Sequence, residues 1–191
     1  MVPFEMKTLY EPKHPEVLRV NPKRQVPVLI HSDSGTDVEI FDSTQIFEYL
    51  EDLRPEPRLW PAGIAARARA RLLELKSDEV YFPHVIRLMG LQGKADDPAA
   101  VAARAGAAAF YAELEGLLGD GRRWLAGDAF TYADIAFYMA QIFGDRMGAP
   151  IAADYPLLIA WRSRIGERDS VQRVAGAMAR YLLGQKRAVP D

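Results

Sequence analysis

The stretch of sequence that decides the fold is NPKRQVPVLIHSDSGTDVEIFDSTQIFEYL, residues 21–50. Apolar runs alternate there with polar and glycine-containing breaks, which is typical of a β-hairpin followed by a helix. The pattern predicts a polar turn at 22–25, a strand at 26–30, a turn at 32–37, a strand at 38–41 and an amphipathic helix that begins at 42–43. The residues predicted to face inward from that helix are Ile46, Phe47, Tyr49 and Leu50.

Two features of this stretch favour a ligand over simple packing. Pro27 stands at the start of an apolar strand, where it cannot donate a ladder hydrogen bond. A cis Val26–Pro27 bond would explain it, because that geometry turns the backbone of Val26 outward. Asp42 and Ser43 then supply a hydroxyl, free amides and a helix dipole, which suit a carboxylate.

The order and spacing of these elements resemble those of the glutathione-binding half of the glutathione transferase family, which is a thioredoxin-like subdomain. The family pattern is Asn-Pro, a short polar turn, a residue followed by cis-proline, and an acid–serine pair that begins a helix. Those places are filled here by Asn21-Pro22, residues 23–25, Val26-Pro27 and Asp42-Ser43. The resemblance implies that the backbone of Val26, preceding Pro27, pairs with the cysteinyl unit of glutathione. It also implies that Asp42 and Ser43 hold the γ-glutamyl end and that Gln25 meets the glycyl carboxylate.

The pattern changes near Pro55, where a proline-broken linker at 54–61 ends the strand signals. Beyond it, alanine-rich helical periodicity continues to the end of the chain. We therefore expect a thioredoxin-like domain at 1–54, incomplete relative to the family, and an all-helical domain at 62–191. The helices are predicted near 62–90, with a kink at Pro83, and near 98–119, 131–145, 155–167 and 170–184.

The clearest local motif of the helical half is a helix start. Thr131 is followed three residues later by Asp134, which is a capping box with aspartate in place of the usual glutamate. Glutathione transferases carry a similar capped helix at the centre of their helical domain. The resemblance thus covers nearly the whole chain from Pro3 onward.

The front of the chain departs from the family pattern. Residues 2–7 resemble the family's second strand, so the first strand and helix, which carry the residue that activates the glutathione thiol, are not recognised. Tyr10 is a minor alternative as the activating hydroxyl.

We expect the native product to carry about 25–30 further residues, as the family does. The alternative is that residues 4–10 pair directly with residues 26–31. The chain as given should turn over an aryl halide only near background.

Composition excludes several other classes of function. The sequence has no cysteine, so disulfides, cysteine catalysis and thiolate metal sites are ruled out. The net charge of −2 gives no electrostatic case for nucleic acid, and no apolar run is long enough to predict a membrane span. Charged residues where a secretory signal would be apolar favour the cytoplasm. No metal site is predicted, since the three histidines have no partners at metal-ligand spacing: His14, His31 and His84.

Two functions remain. The first is a transferase that conjugates the glutathione thiol, as substrate, to a small hydrophobic electrophile; the second is a noncatalytic binding or dimerisation module of the same fold. A homodimer is expected for either. The electrophile would lie against the inner face of the first long helix, at Tyr81, Val85, Leu88 and Met89, unless these residues simply pack between helices. The sequence leaves the electrophile and the transferase class open.

Overall fold

In the computed structural model, residues 14–33 and 35–184 are described, and the chain divides into two compact units, with the boundary between Arg58 and Leu59. The first unit contains a β-hairpin with helices, and the second contains a set of helices. Residues 1–13 lie outside the described part of the chain. The strand predicted at 2–7, its alternative pairing with 26–31 and the candidate Tyr10 therefore have no structural description.

The first unit is built around one antiparallel hairpin. Its elements are α1 (Pro15–Val20), β1 (Val28–Asp33), β2 (Thr36–Phe41) and α2 (Ser43–Leu53). β1 begins two residues later than predicted because Pro27 has no N–H to give to the ladder. The predicted turn at 32–37 is also shorter, since Asp33 already pairs with Thr36. Gly35 permits this tight reversal with a φ of +87°, which glycine adopts without steric cost.

Helix α2 begins where the sequence predicts, with Asp42 as its N-cap. Of the four residues predicted to face inward, Phe47 is buried, whereas Leu50 is 37% exposed and is not a core residue. Tyr49 is half-buried and its hydroxyl lies 2.6 Å from Nδ1 of His31, so the helix is joined to β1 by a polar contact. That contact gives His31 a structural partner.

The second unit consists of helices whose bounds fall within two residues of the prediction. They are α3 (Ile64–Lys76), a π-helical segment (Ser77–Tyr81), α4 (Phe82–Gly90), α5 (Pro98–Leu118), α6 (Tyr132–Met147), α7 (Pro156–Gly166) and α8 (Asp169–Gly184). The irregularity expected around Pro83 takes the form of the π-helical segment just before it. Proline removes one hydrogen bond and crowds the preceding turn, which a locally wider helix accommodates.

An aromatic cluster forms the centre of this helical core. The ring of Phe137 lies 5.2 Å from that of Tyr81 and 5.3 Å from that of Trp161, measured between centroids. Phe110 and Tyr111 complete the cluster, and all five side chains are buried. Such contacts add stabilisation beyond the area they bury. Of the described helices, none combines the length and apolar character that a membrane crossing requires.

Candidate functional site

The hairpin register places both candidate glutathione-binding segments at the same end of the sheet. Val28, the first residue of β1, pairs with Phe41, the last residue of β2. Residues 26–27 lead directly into that pair and residues 42–43 lead directly out of it. Because the strands are antiparallel and Val28 is paired with Phe41, the segments 26–27 and 42–43 lie side by side at this end of the hairpin.

The turn that leads to Val26 is held by a buried side chain, that of Asn21, which is only 3% exposed. Its Oδ1 accepts a hydrogen bond from the Lys23 amide at 2.9 Å, and its Nδ2 donates to the Gln25 carbonyl at 2.7 Å. The Arg24 amide also donates to the Asn21 carbonyl. The sequence identified Asn21-Pro22 as part of a motif but gave Asn21 no role. The sequence did contain a signal for this role, because an asparagine side chain characteristically forms a hydrogen bond with the backbone two residues further along the chain.

The segment that follows this turn is open to solvent. The Val26–Pro27 peptide bond is cis, as predicted from the sequence. The Val26 side chain is 74% exposed, and Gln25 and Pro27 are exposed as well. The Gln25 side chain is thus accessible, while its carbonyl is taken by Asn21.

At the start of α2, Asp42 caps the helix, whereas Ser43 presents its polar groups to solvent. Oδ1 of Asp42 accepts hydrogen bonds from the amides of Thr44 and Gln45, at 3.1 and 3.3 Å, so part of the carboxylate caps the helix. Ser43 is exposed at the first helical position, and within the described residues its amide and hydroxyl have no partner. This arrangement offers donors to an anionic group and a carboxylate oxygen to a cationic one, which suits an α-amino acid end.

Two tyrosine hydroxyls of the second unit, those of Tyr81 and Tyr111, belong to the buried core. The hydroxyls of Tyr81 and Tyr111 lie 2.6 Å apart, and that of Tyr111 donates to the Ala149 carbonyl. Burial raises the pKa of Tyr81 far above its ordinary value and raises the pKa of Tyr111 to about 12. Both hydroxyls are enclosed in the helical core and engaged in hydrogen bonds, so neither is placed to donate a hydrogen bond to a thiolate.

The predicted electrophile face is largely a packing surface. Tyr81, Val85 and Leu88 are at most 2% exposed within the helical core, which favours the alternative of plain packing; Met89 is 50% exposed. The described residues contain no group of three histidine, aspartate or glutamate side chains placed to hold a metal ion. The candidate site therefore consists of Gln25, Val26, Pro27, Asp42 and Ser43, together with Asn21 behind them.

Comparison with protein-family models assigns both halves of the chain. The model described as glutathione S-transferase, N-terminal domain, matches residues 1–53, and the one described as glutathione S-transferase, C-terminal domain, matches residues 73–169. The hairpin unit is thus a thioredoxin-like amino-terminal domain and the second unit is the all-helical carboxyl-terminal domain, as predicted.

Individual proteins agree with this assignment. Glutathione S-transferase U25 from Arabidopsis thaliana is 29% identical over 84% of this chain and 72% of its own length. A sphingomonad glutathione S-transferase complexed with glutathione has a TM-score of 0.71 at 29% identity, covering 84% of this chain and 77% of that one. FtsZ-localized protein A from Caulobacter vibrioides is 29% identical over 87% of this chain and 77% of its own length.

Proposed function

Because this chain belongs to the glutathione S-transferase family, we propose that it binds glutathione at its amino-terminal unit and conjugates the thiol to a small hydrophobic electrophile. The observation that carries the proposal is the shared position of residues 26–27 and 42–43 at one end of the hairpin. An extended tripeptide can contact both segments only if they lie side by side.

Each segment has a distinct task in this proposal. The amide and carbonyl of Val26 pair with the backbone of the cysteinyl residue, in the manner of an added strand. The Ser43 amide and hydroxyl bind the α-carboxylate of the γ-glutamyl unit, and the carboxylate of Asp42 faces its ammonium group. The exposed Gln25 side chain reaches the glycyl carboxylate.

These contacts position the thiol, and a hydroxyl must then ionise it. One hydrogen bond to the thiolate sulfur lowers the thiol pKa, because it stabilises the charged form. By resemblance this hydroxyl belongs to the family's first helix, which is not recognised in this sequence, and Tyr10 is the minor alternative. Positioning the thiolate beside the electrophile contributes the remaining acceleration through proximity.

The proposal is tested by calorimetric titration with glutathione and with S-methylglutathione, which has no thiol to activate. Both should bind saturably, and Ser43→Ala should weaken both by roughly tenfold, the loss expected for one hydrogen bond to a charged group. Ser163→Ala, an exposed serine in α7, is the matched control and should leave both affinities unchanged. No saturable binding of either ligand by the unaltered chain would refute the proposal.

A second function is a noncatalytic module of the same fold, and the similarity to FtsZ-localized protein A favours it. Turnover assays separate the two functions. Turnover of 1-chloro-2,4-dinitrobenzene with glutathione well above background, abolished in Tyr10→Phe, would favour the transferase with Tyr10 as its activating hydroxyl and would overturn the expectation of near-background turnover. Glutathione binding with near-background turnover in the chain as given leaves the binding module as an alternative, which is excluded if turnover appears once the family's first strand and helix are present.

We also propose a homodimer, as expected from the family, and the cytoplasm, where glutathione keeps thiols reduced. A stable dimer interface buries on the order of 1,200–2,000 Å² or more. Light scattering at micromolar concentration should therefore give twice the chain mass of 21.3 kDa, and a monomer mass would exclude the dimer.

A further inference from the structure

A hydrogen bond joins β1 to α2, the helix that carries part of the candidate glutathione site. The Tyr49 hydroxyl of α2 lies 2.6 Å from Nδ1 of His31 in β1, and the two ring centroids are 5.8 Å apart. A tyrosine hydroxyl can donate and accept, so the contact is a hydrogen bond in either tautomer of the imidazole. Both residues are half-buried, which limits the competition from water.

His31 is a polar residue in an apolar part of the hairpin. Paired residues of antiparallel strands share a face, and successive residues alternate between faces. His31 therefore shares its face with its partner Val38 and with the next pair on that face, Leu29 and Ile40. Helix α2 packs against both strands. Apolar packing has no preferred direction, whereas a hydrogen bond does, so the contact with Tyr49 can orient the helix.

Helix α2 needs a directional contact, because it buries few side chains. Of its residues 43–53, all of which are described, only Phe47 is buried. Phe47 and Tyr49 are two positions apart, so they project from different sides of the helix. Burial of Phe47 alone would allow α2 to turn about its own axis. The hydrogen bond at Tyr49 opposes that rotation.

The junction between β2 and α2 is strained. Asp42 has a φ of +77°, a region that residues other than glycine rarely adopt. Such a conformation persists only where the surrounding structure holds it on both sides. Before the junction, Phe41 is paired with Val28. After it, the hydrogen bond of Tyr49 anchors α2 about two turns further along the helix. Without this anchor, relaxation at Asp42 would turn the start of the helix.

The orientation of α2 decides where the hydroxyl of Ser43 lies. A side-chain atom about 5 Å from a helix axis moves by roughly 1.7 Å when the helix rotates by about 20°. The donor–acceptor distances of hydrogen bonds span only about 0.5 Å. A rotation of that size would therefore carry the Ser43 hydroxyl out of reach of a carboxylate bound at its original position.

We propose that His31 and Tyr49 are positioning residues of the glutathione site. Their hydrogen bond sets the orientation of α2 on β1 and thereby aligns Asp42 and Ser43 with the γ-glutamyl end of the ligand. Both residues act through α2 and make no contact with glutathione themselves. This inference rests on the proposed binding of glutathione.

Calorimetric titration of the full chain with glutathione tests the inference. Tyr49→Phe removes only the hydroxyl and should weaken binding roughly three- to tenfold, the range for one neutral hydrogen bond. Tyr155→Phe is the matched control. The hydroxyl of Tyr155, which is also half-buried, donates to the Ala108 carbonyl at 3.3 Å within the helical unit. Its removal should leave the affinity unchanged.

Variants of His31 test the other side of the hydrogen bond and keep the test valid if Tyr49→Phe fails to fold. His31→Leu removes the polar group and should weaken glutathione binding by a similar factor. His31→Asn places a polar atom near the position of Nδ1 and should retain most of the original affinity. Equal losses in His31→Leu and His31→Asn would contradict the role of the hydrogen bond.

A double-mutant cycle with Ser43→Ala separates positioning from stability. If Tyr49 acts through Ser43, Tyr49→Phe should weaken glutathione binding by a smaller factor in the Ser43→Ala chain than in the original chain. A general loss of stability would weaken binding by the same factor in both. Equal factors in folded chains would therefore overturn the positioning role.

Amide hydrogen exchange without ligand distinguishes a failure of this inference from a failure of the proposed function. Tyr49→Phe should speed the exchange of the Thr44 and Gln45 amides, which donate to Asp42. No glutathione binding by the unaltered chain would refute the proposed function and, with it, this role at the site. Binding by the unaltered chain, with affinity and exchange unchanged in Tyr49→Phe, would overturn this inference alone.

Discussion

Trp161 donates its indole N–H to Oδ1 of Asp134 at 2.9 Å, joining α7 to the first turn of α6 across 27 residues of sequence. The same carboxylate accepts from the Leu125 amide and from both the amide and the hydroxyl of Thr131. Burial raises the pKa of Asp134, and these hydrogen bonds oppose that shift. One aspartate therefore fixes a helix start, the loop before it and a neighbouring helix.

This arrangement predicts a graded loss of stability. Thr131→Ala should lower the free energy of unfolding by about 1 kcal/mol, the usual cost of losing a cap. Asp134→Ala should cost about 2–4 kcal/mol, because it leaves several buried donors without an acceptor. Urea unfolding measures both changes. Asp154→Ala, at an exposed turn, should stay within about 0.5 kcal/mol, and an equal loss in all three variants would contradict this account.

Close packing around Gly144 in α6 gives a second prediction. A Cβ atom at this position would overlap the Tyr81 hydroxyl and lie 3.3 Å from that of Tyr111. Gly144→Ala should therefore destabilise the protein by about 1–3 kcal/mol despite the better helix propensity of alanine. Gly116→Ala, in α5 with open space around it, should be neutral or slightly stabilising.

A double-mutant cycle identifies the clash. Tyr81→Phe removes the overlapping hydroxyl, so Gly144→Ala should cost less in that background than in the original chain. Additive free energies of unfolding would show that the Tyr81 hydroxyl is not the cause.

The buried tyrosine pair predicts a loss of stability at alkaline pH. Tyr111 has its pKa raised from 10.0 to about 12, and that of Tyr81 is raised as well, so the folded state keeps its protons where the unfolded state releases them. This contribution to stability is complete below pH 10 and is lost as the pH rises toward 12. Unfolding free energy should therefore decline across that window, with a shallower slope in Tyr111→Phe. Buried tyrosines ionising near pH 10 in a chain that is still folded, seen by absorbance at 295 nm, would contradict the prediction.

The local patterns of the sequence were sufficient for the helical unit and for the order of elements in the hairpin unit. The Thr131–Asp134 spacing located the start of α6, because a capping box lies within four residues. The predicted strand bounds were less accurate. The apolar pattern of the sequence continued through Pro27, but the hydrogen-bonded ladder could not include this residue, because proline has no N–H. Burial of Tyr81 and Val85 was also beyond a local pattern, because apolar helix faces look alike whether they meet another helix or a ligand.

Contacts between residues that are far apart in the sequence could not be predicted from it. The carboxylate of Glu115 in α5 accepts hydrogen bonds from the amides of Leu157 and Leu158, at 3.0 and 2.8 Å, and so caps α7 from 42 and 43 residues away. Arg123, Arg164 and Arg168 also group around the Trp124 ring, and this grouping is equally non-local. Both depend on how helices pack, which a local pattern does not specify.

The last prediction concerns Asn21, which lies behind the candidate glutathione site. Its buried carboxamide ties the Lys23 amide and the Gln25 carbonyl, so it fixes the approach of the chain to Val26. Asn21→Ala should weaken glutathione binding severalfold or more, because the Val26 backbone would no longer be held in its binding position. Asn21→Asp should do the same, since its carboxylate places an oxygen against the Gln25 carbonyl. Binding should be measured by calorimetry at a temperature where circular dichroism shows both variants to be folded. A loss of affinity under these conditions reports on the positioning of Val26 and not on the stability of the fold. If both variants have lower melting temperatures but bind glutathione with unchanged affinity, Asn21 supports only the fold.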